Sequence, residues 1–391
     1  MLFPPIDPNE RFRERRDAAR RRKRLRRGAA VGAVLVGVVL VGAGAQFVTT
    51  GSVPSGVAEQ PDVSLAPETG PRALPVEIRG VHVSMGLASL SGKLEEYLDL
   101  ERDGLTALEL DVKDENGQIG FASPRIPLAA KVGAARDFYE PRVVARLAHE
   151  RDVYLIGRIV VFEDPILSSA RPNLAVRRSG GSVWRDSAGL GWTNAYDRRV
   201  WDYNVDVAAA AARAGFDEIM FDYVRFPSDG DVESAVYGNR GTLTKREAVP
   251  AFLHYASRRL GRYDVRISAA VFGLAAARDL GIGQLPRRMA PHVDTLYAMT
   301  YPSLFGPGEF GIADPSLAPG QTVSRALRKF SITLHGSHVL VVPWVQDFTF
   351  TTPFELEQVR AQIDAARRAG AKGYMLWNAE GVYTDGALAA P

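Results

Sequence analysis

Residues 153–161 read VYLIGRIVV, nine positions in which only Gly157 and Arg158 interrupt an apolar run. A strand with one face in water alternates apolar and polar side chains, whereas a continuous run belongs to a parallel strand covered on both faces. Parallel strands need crossover connections, and the chain supplies them on either side of this stretch. Before it lie β-rich runs at 78–83 and 107–112, with helical patterns over 93–103 and 139–151. After it come runs at 218–223, 266–272, 295–300, 339–344 and 373–377. Helical patterns at 198–214, 245–260, 284–290, 322–331 and 353–369 separate them. Eight strands, each followed by a crossover that is usually helical, predict an α/β fold, a (β/α)8 TIM barrel over residues 76–391. A doubly wound open sheet ranks second, because no Gly-x-Gly-x-x-Gly follows the first strand and no phosphate-loop motif occurs.

The 391 residues carry a formal net charge of +3, unevenly spread. Residues 1–27 hold 11 basic side chains against Asp7, Glu10, Glu14 and Asp17, so this leader carries +7 and the remainder −4. Residues 28–48 then form 21 positions without a charge, long enough to cross a hydrocarbon core about 30 Å thick. The arginines before this span predict a cytoplasmic N-terminus and a single-pass membrane anchor. Residues 49–75 read as a flexible linker, and the barrel is expected outside the cytoplasm. Cleavage after Ala43-Gly44-Ala45, giving a secreted protein, is the alternative. A nucleic-acid arm is the less economical reading of the arginines, since they abut an apolar span. With no cysteine in the chain, disulfides, thiolate metal sites and a cysteine nucleophile are excluded.

Chemistry in such barrels occurs at the C-terminal ends of the strands. There the sequence places Asp111 and Lys113 on strand two, Arg158 on strand three, and Asp222 and Arg225 on strand four. Tyr297 and Tyr301 follow on strand six, Trp344 and Asp347 on strand seven, and Trp377 and Asn378 on strand eight. Carboxylates serve as acid, base or nucleophile, and indole and phenol rings lie against sugar faces. Asp222 is the leading catalytic candidate, with Asp111 or Asp347 as its partner. If Asp222 points inward, alternation turns Met220 and Val224 inward and Phe221 and Tyr223 outward, with Asp111, Lys113 and Arg225 as its expected partners. A structural Asp–Arg brace is the competing reading of Asp222, and a turn cap that of Asp347. The long 162–197 connection, with Trp184 and Trp192, is expected to shape the substrate cleft. The six histidines form no His-x-His or His-Glu-x-x-His, only His82 stands near a strand end on the active face, and no Gly-x-Ser-x-Gly occurs. These absences disfavour zinc and serine hydrolases, and no metal or cofactor is expected.

The segments Trp192-Thr193-Asn194-Ala195-Tyr196 and Gly215-Phe216-Asp217-Glu218-Ile219-Met220-Phe221-Asp222-Tyr223-Val224-Arg225-Phe226-Pro227 carry a further signal. With Arg79-Gly80-Val81-His82-Val83, 109–114, 299–302 and 373–378, the chain resembles a bacterial family of putative glycosyl hydrolase domains, formerly a domain of unknown function. The likeness spans about 76–383. It implies a glycoside-hydrolase-like barrel with Asp222 catalytic and Asp111 its partner. With the barrel expected outside the cytoplasm, the expected substrate is a polysaccharide or oligosaccharide of the cell envelope or environment. Family-18 chitinases place Glu two residues after an Asp on strand four, where this chain has Val224; the α-amylase clan draws an acid from strand five, where residues 268–272 offer none. The second carboxylate therefore comes from strand two, strand seven or a loop. A non-catalytic glycan-binding protein on a degenerate barrel is the alternative function.

Overall fold

The computed structural model describes residues 71–350 and 352–390. The leader, the 28–48 span and all but the last residues of the linker lie outside them. Among the described residues, no helix is long and apolar enough to cross a membrane.

Eight parallel strands close in sequence order: β1 (Ile78–Val83), β2 (Ala107–Lys113), β3 (Tyr154–Val160), β4 (Glu218–Asp222), β5 (Arg266–Phe272), β6 (Thr295–Met299), β7 (Leu340–Gln346) and β8 (Gly373–Trp377), with β8 pairing back on β1. The expected spans hold to within one or two residues. The apolar runs are buried on both faces because helices such as Arg198–Ala214 and Lys245–Leu260 cover the outside while side chains fill the inside. Tyr154, Ile156, Met220, Tyr297, Val342, Trp344 and Met375 pack within the barrel. Phe221, Phe252 and Trp201 belong to the shell between strands and helices.

Two departures from alternation shape the C-terminal face of the barrel. Between Asp111 and Lys113 the β2–β3 register shifts, a bulge that re-aims the next side chain. Lys113 accordingly leaves the face of Glu109 and Asp111. At the end of β4, Tyr223 takes φ 49°, a left-handed conformation uncommon for an aromatic residue. This breaks the alternation, so Val224 joins Phe221 and Tyr223 in the outer shell rather than pointing inward with Met220.

The connection after β3 is built rather than loose. A short helix, Pro165–Ala170, opens it, and antiparallel bridges Glu163–Trp192, Ala175–Thr193 and Arg177–Val236 tie it to itself and to the segment after β4. Trp184 and Trp192 are fully buried, their indoles donating to the Asp231 carbonyl and the Asp186 carboxylate. They anchor this layer instead of lining a cleft.

Candidate active site

Arg158 is paired in register with Asp111 of β2 and lies beside β4, so the guanidinium emerges between two aspartates. Its Nη1 donates to Asp111 Oδ1 at 2.6 Å, and its Nε and Nη2 both donate to Asp222 Oδ2, at 2.9 and 2.7 Å. The other Asp222 oxygen accepts the Tyr223 backbone N–H at 2.7 Å, which the left-handed turn directs onto it. All three side chains are almost completely buried. Charge-assisted hydrogen bonds of this kind are short and directional, so one arginine fixes both carboxylates with respect to each other. Burial alone would lower the arginine's pKa, but the charges of Asp222, Asp111 and Glu109 raise it well above the ordinary value.

Below Asp111 on the same face, Glu109 is fully buried, with Oε1 3.0 Å from His82 Nδ1. Burial pushes its carboxyl up, while His82 and Arg158 partly offset that push. His82 Nε2 stands 3.7 Å from Asp111 Oδ2, and the imidazole lies on Trp377 with centroids 4.1 Å apart. Trp377 in turn stacks on Trp344 at 4.7 Å and 17°, with the Arg158 guanidinium carbon 5.3 Å from its centroid. Trp344 is buried beneath and Trp377 is partly open, so one indole supports the other. Tyr301 completes this wall, its ring 6.5 Å from that of Trp377.

The structure thus brings together Asp222, Asp111, Arg158, Trp344, Trp377 and Tyr301. It takes the remaining candidates elsewhere. Lys113 Nζ is held behind the barrel wall by Asp164 Oδ2 at 2.8 Å, the Val160 carbonyl at 2.8 Å and Asn204 Oδ1 at 3.1 Å. Arg225, also expected beside Asp222, nests among the rings of Trp192, Tyr223 and Phe272 and donates to Ser228 Oγ at 2.9 Å. Tyr297 lies fully buried in the barrel, next to Glu218. Asp347 binds the Thr384 hydroxyl and backbone N–H at 2.5 and 2.9 Å, so it caps the C-terminal segment and not the turn after β7. Asn378 serves the same corner by donating to the Asp347 carbonyl. The Asp222 partnership with Arg158 was hidden because sequence alternation says which residues face inward, not which neighbours their side chains reach. Glu115, which approaches Arg158 Nη1 at 3.8 Å from the loop after β2, left only a turn signal, Asp114-Glu115-Asn116-Gly117.

Residues 80–383 match the family model described as "Putative glycosyl hydrolase domain". A hypothetical protein from Ruminiclostridium thermocellum ATCC 27405 is 35% identical, the match covering 48% of this chain and 96% of that one, with a TM-score of 0.45. The PgaB (BpsB) glycoside hydrolase domain from Bordetella bronchiseptica has a TM-score of 0.55 at 14% identity, covering 78% of this chain and 95% of its own, a likeness of fold. No curated protein matches the chain.

Proposed function

The chain belongs to the putative glycosyl hydrolase domain family, a glycosidase class, and from that premise we propose that it cleaves glycosidic bonds of a polysaccharide through Asp222 and Asp111. The observation that carries this reading is the single guanidinium bonding both carboxylates at the C-terminal ends of β2 and β4. Glycoside hydrolysis passes through an oxocarbenium-like transition state, and two carboxyl groups across the scissile bond are what it requires. Asp222 acts as nucleophile or base, positioned by Arg158 and the Tyr223 N–H. Asp111 faces the same charge from β2. The partly open Trp377, backed by Trp344 and flanked by Tyr301, supports a sugar-ring contact. Lys113, Arg225 and Tyr297 take no part in substrate contact on this reading, since each is committed elsewhere.

The barrel's place in the cell rests on residues 1–48. A +7 leader followed by 21 uncharged residues favours a barrel held outside the cytoplasm on a membrane anchor, acting on cell-envelope or extracellular glycan. The reading is tested with a polysaccharide panel, scored by new reducing ends, for the wild type and Asp222→Asn. Cleavage by the wild type and its loss in the variant are expected. Glycan binding by both, without cleavage by either, overturns catalysis in favour of a binding protein.

A further inference from the structure

Four carboxylates surround Arg158, and they differ in what they can reach. Asp111 and Asp222 are hydrogen-bonded to the guanidinium, and Glu109 lies 3.8 Å from Nε in the barrel interior. Their side chains are 4%, 2% and 0% exposed. Glu115 Oε2 is 3.8 Å from Arg158 Nη1, an ion-pair distance, and its side chain is 14% exposed. It alone of the four stands on a loop above the strand ends.

That loop is rigidly held. The Gly117 N–H donates to the Asp114 carbonyl at 3.0 Å, and the Asp114 N–H donates to the Gln118 carbonyl at 3.0 Å. Asp114 Oδ1 accepts the backbone N–H groups of Asn116 and Gln118, and its Oδ2 accepts Asn116 Nδ2. Gly117 sits at φ 76°, where a Cβ would fall 2.3 Å from Asp164 Oδ1. Asp164 is itself fixed by Lys113 and by the Leu167 N–H. The buried Lys113–Asp164 pair therefore seats the turn that carries Glu115 over Arg158, which gives the bulge in β2 a purpose.

We propose that Glu115 is the acid/base of the reaction, the group that gives a proton to the leaving sugar. This rests on the glycosidase reading and deepens it. A general acid must recover a proton from solvent in each turnover and must reach the glycosidic oxygen outside the barrel. On this proposal Asp222 faces the anomeric carbon, Asp111 braces it through Arg158, and Glu115 takes the place of Asp111 as the second carboxyl across the scissile bond. The Glu115 carboxyl proton passes to the glycosidic oxygen as the C1–O bond breaks with its electron pair going to that oxygen. The leaving sugar departs as an alcohol, and C1 is left as an oxocarbenium ion balanced by the Asp222 carboxylate. Water then supplies the oxygen that bonds to C1, and its proton returns to the Glu115 carboxylate. One water is consumed and the enzyme is regenerated. The charged groups gathered with Glu115 around Arg158 of β3 are Asp111 and Glu109 of β2 and Asp222 of β4, with His82 of β1 against Glu109 and Asp114 in the turn that carries Glu115.

The test uses the full chain, a polysaccharide that the wild type degrades, and the dinitrophenyl glycoside of the same sugar, whose leaving group needs no acid. Glu115→Gln is expected to lose about a hundredfold to a thousandfold in kcat/KM on the polysaccharide, and less than about tenfold in kcat/KM on the aryl glycoside, which reads the bond-breaking step alone. The alkaline limb of the pH profile disappears, thermal unfolding is unchanged, and Glu115→Asp restores part of the rate. Polysaccharide activity within about threefold of wild type in Glu115→Gln overturns the assignment and leaves the glycosidase reading standing. So does finding the leaving-group dependence in Asp111→Asn instead. A wild type that degrades no polysaccharide removes both.

Discussion

Glu218 opens β4 at the end of the strand opposite Asp222, fully buried, with the Tyr154 hydroxyl donating to its Oε2 at 3.1 Å. Burial pushes its carboxyl up to about 7, although the neighbouring Ser268, Tyr297 and Tyr154 hydroxyls pull the other way. The unfolded chain titrates this group near 4.5. The folded state therefore holds the proton more tightly. Its contribution to stability is fully present below about pH 4.5 and is lost as pH rises through about 7. Two to three pKa units correspond to about 3 kcal/mol. Glu218→Gln, which stays neutral, is expected to gain roughly that much on the wild type between pH 4.5 and pH 8, read by denaturant unfolding at both. An unchanged difference between the two proteins at the two pH values contradicts this. At the residue scale the sequence disclosed which side chains face the barrel, since Asp111, Arg158 and Asp222 all do. It did not disclose that Lys113 and Arg225 leave, because a bulge and a left-handed residue carry no composition signal.

The strands were legible as elements because each is a short apolar run bounded by a turn, and a parallel strand buried on both faces needs nothing more. The long helices were legible for a similar reason, as 198–214 and 245–260 are long enough to show a period. The helices Met85–Ala88, Pro127–Val132 and Pro165–Ala170 went unseen, because four to six residues leave no room for one. Closure of β8 on β1 depends on two glycines of different tolerance. At Gly373, φ 150°, a Cβ would fall 2.0 Å from the Ile78 carbonyl oxygen, a backbone atom that is part of the pairing. At Gly80 a Cβ would meet Met375 Sδ at 2.1 Å, the end of a flexible side chain. Gly373→Ala is expected to cost about 3 kcal/mol or more, and Gly80→Ala clearly less, as urea unfolding would read. A Gly80→Ala cost equal to or above that of Gly373→Ala contradicts this view of the seam.

For the whole molecule, a net charge of +3 describes neither part of the chain. A 27-residue leader carries +7, and the remainder carries −4. On the proposed arrangement the full chain partitions with membranes, its barrel is digested by protease added outside the cytoplasmic membrane, and removal of residues 1–48 leaves it soluble. Recovery of the full chain in the soluble cytoplasmic fraction contradicts it. The barrel order and the strand spans were readable from periodicity, and with them the convergence of β2, β3 and β4 that brings Asp111, Arg158 and Asp222 together. The clamp by one arginine was not, since it depends on how far a guanidinium reaches across two strands. That clamp supports the central claim, and reducing-end release from a polysaccharide by wild type and Asp222→Asn, both shown folded by matching unfolding transitions, tests it most directly. The account predicts cleavage by the wild type and a loss of at least about a thousandfold in Asp222→Asn; an Asp222→Asn protein that cleaves as fast as the wild type contradicts it.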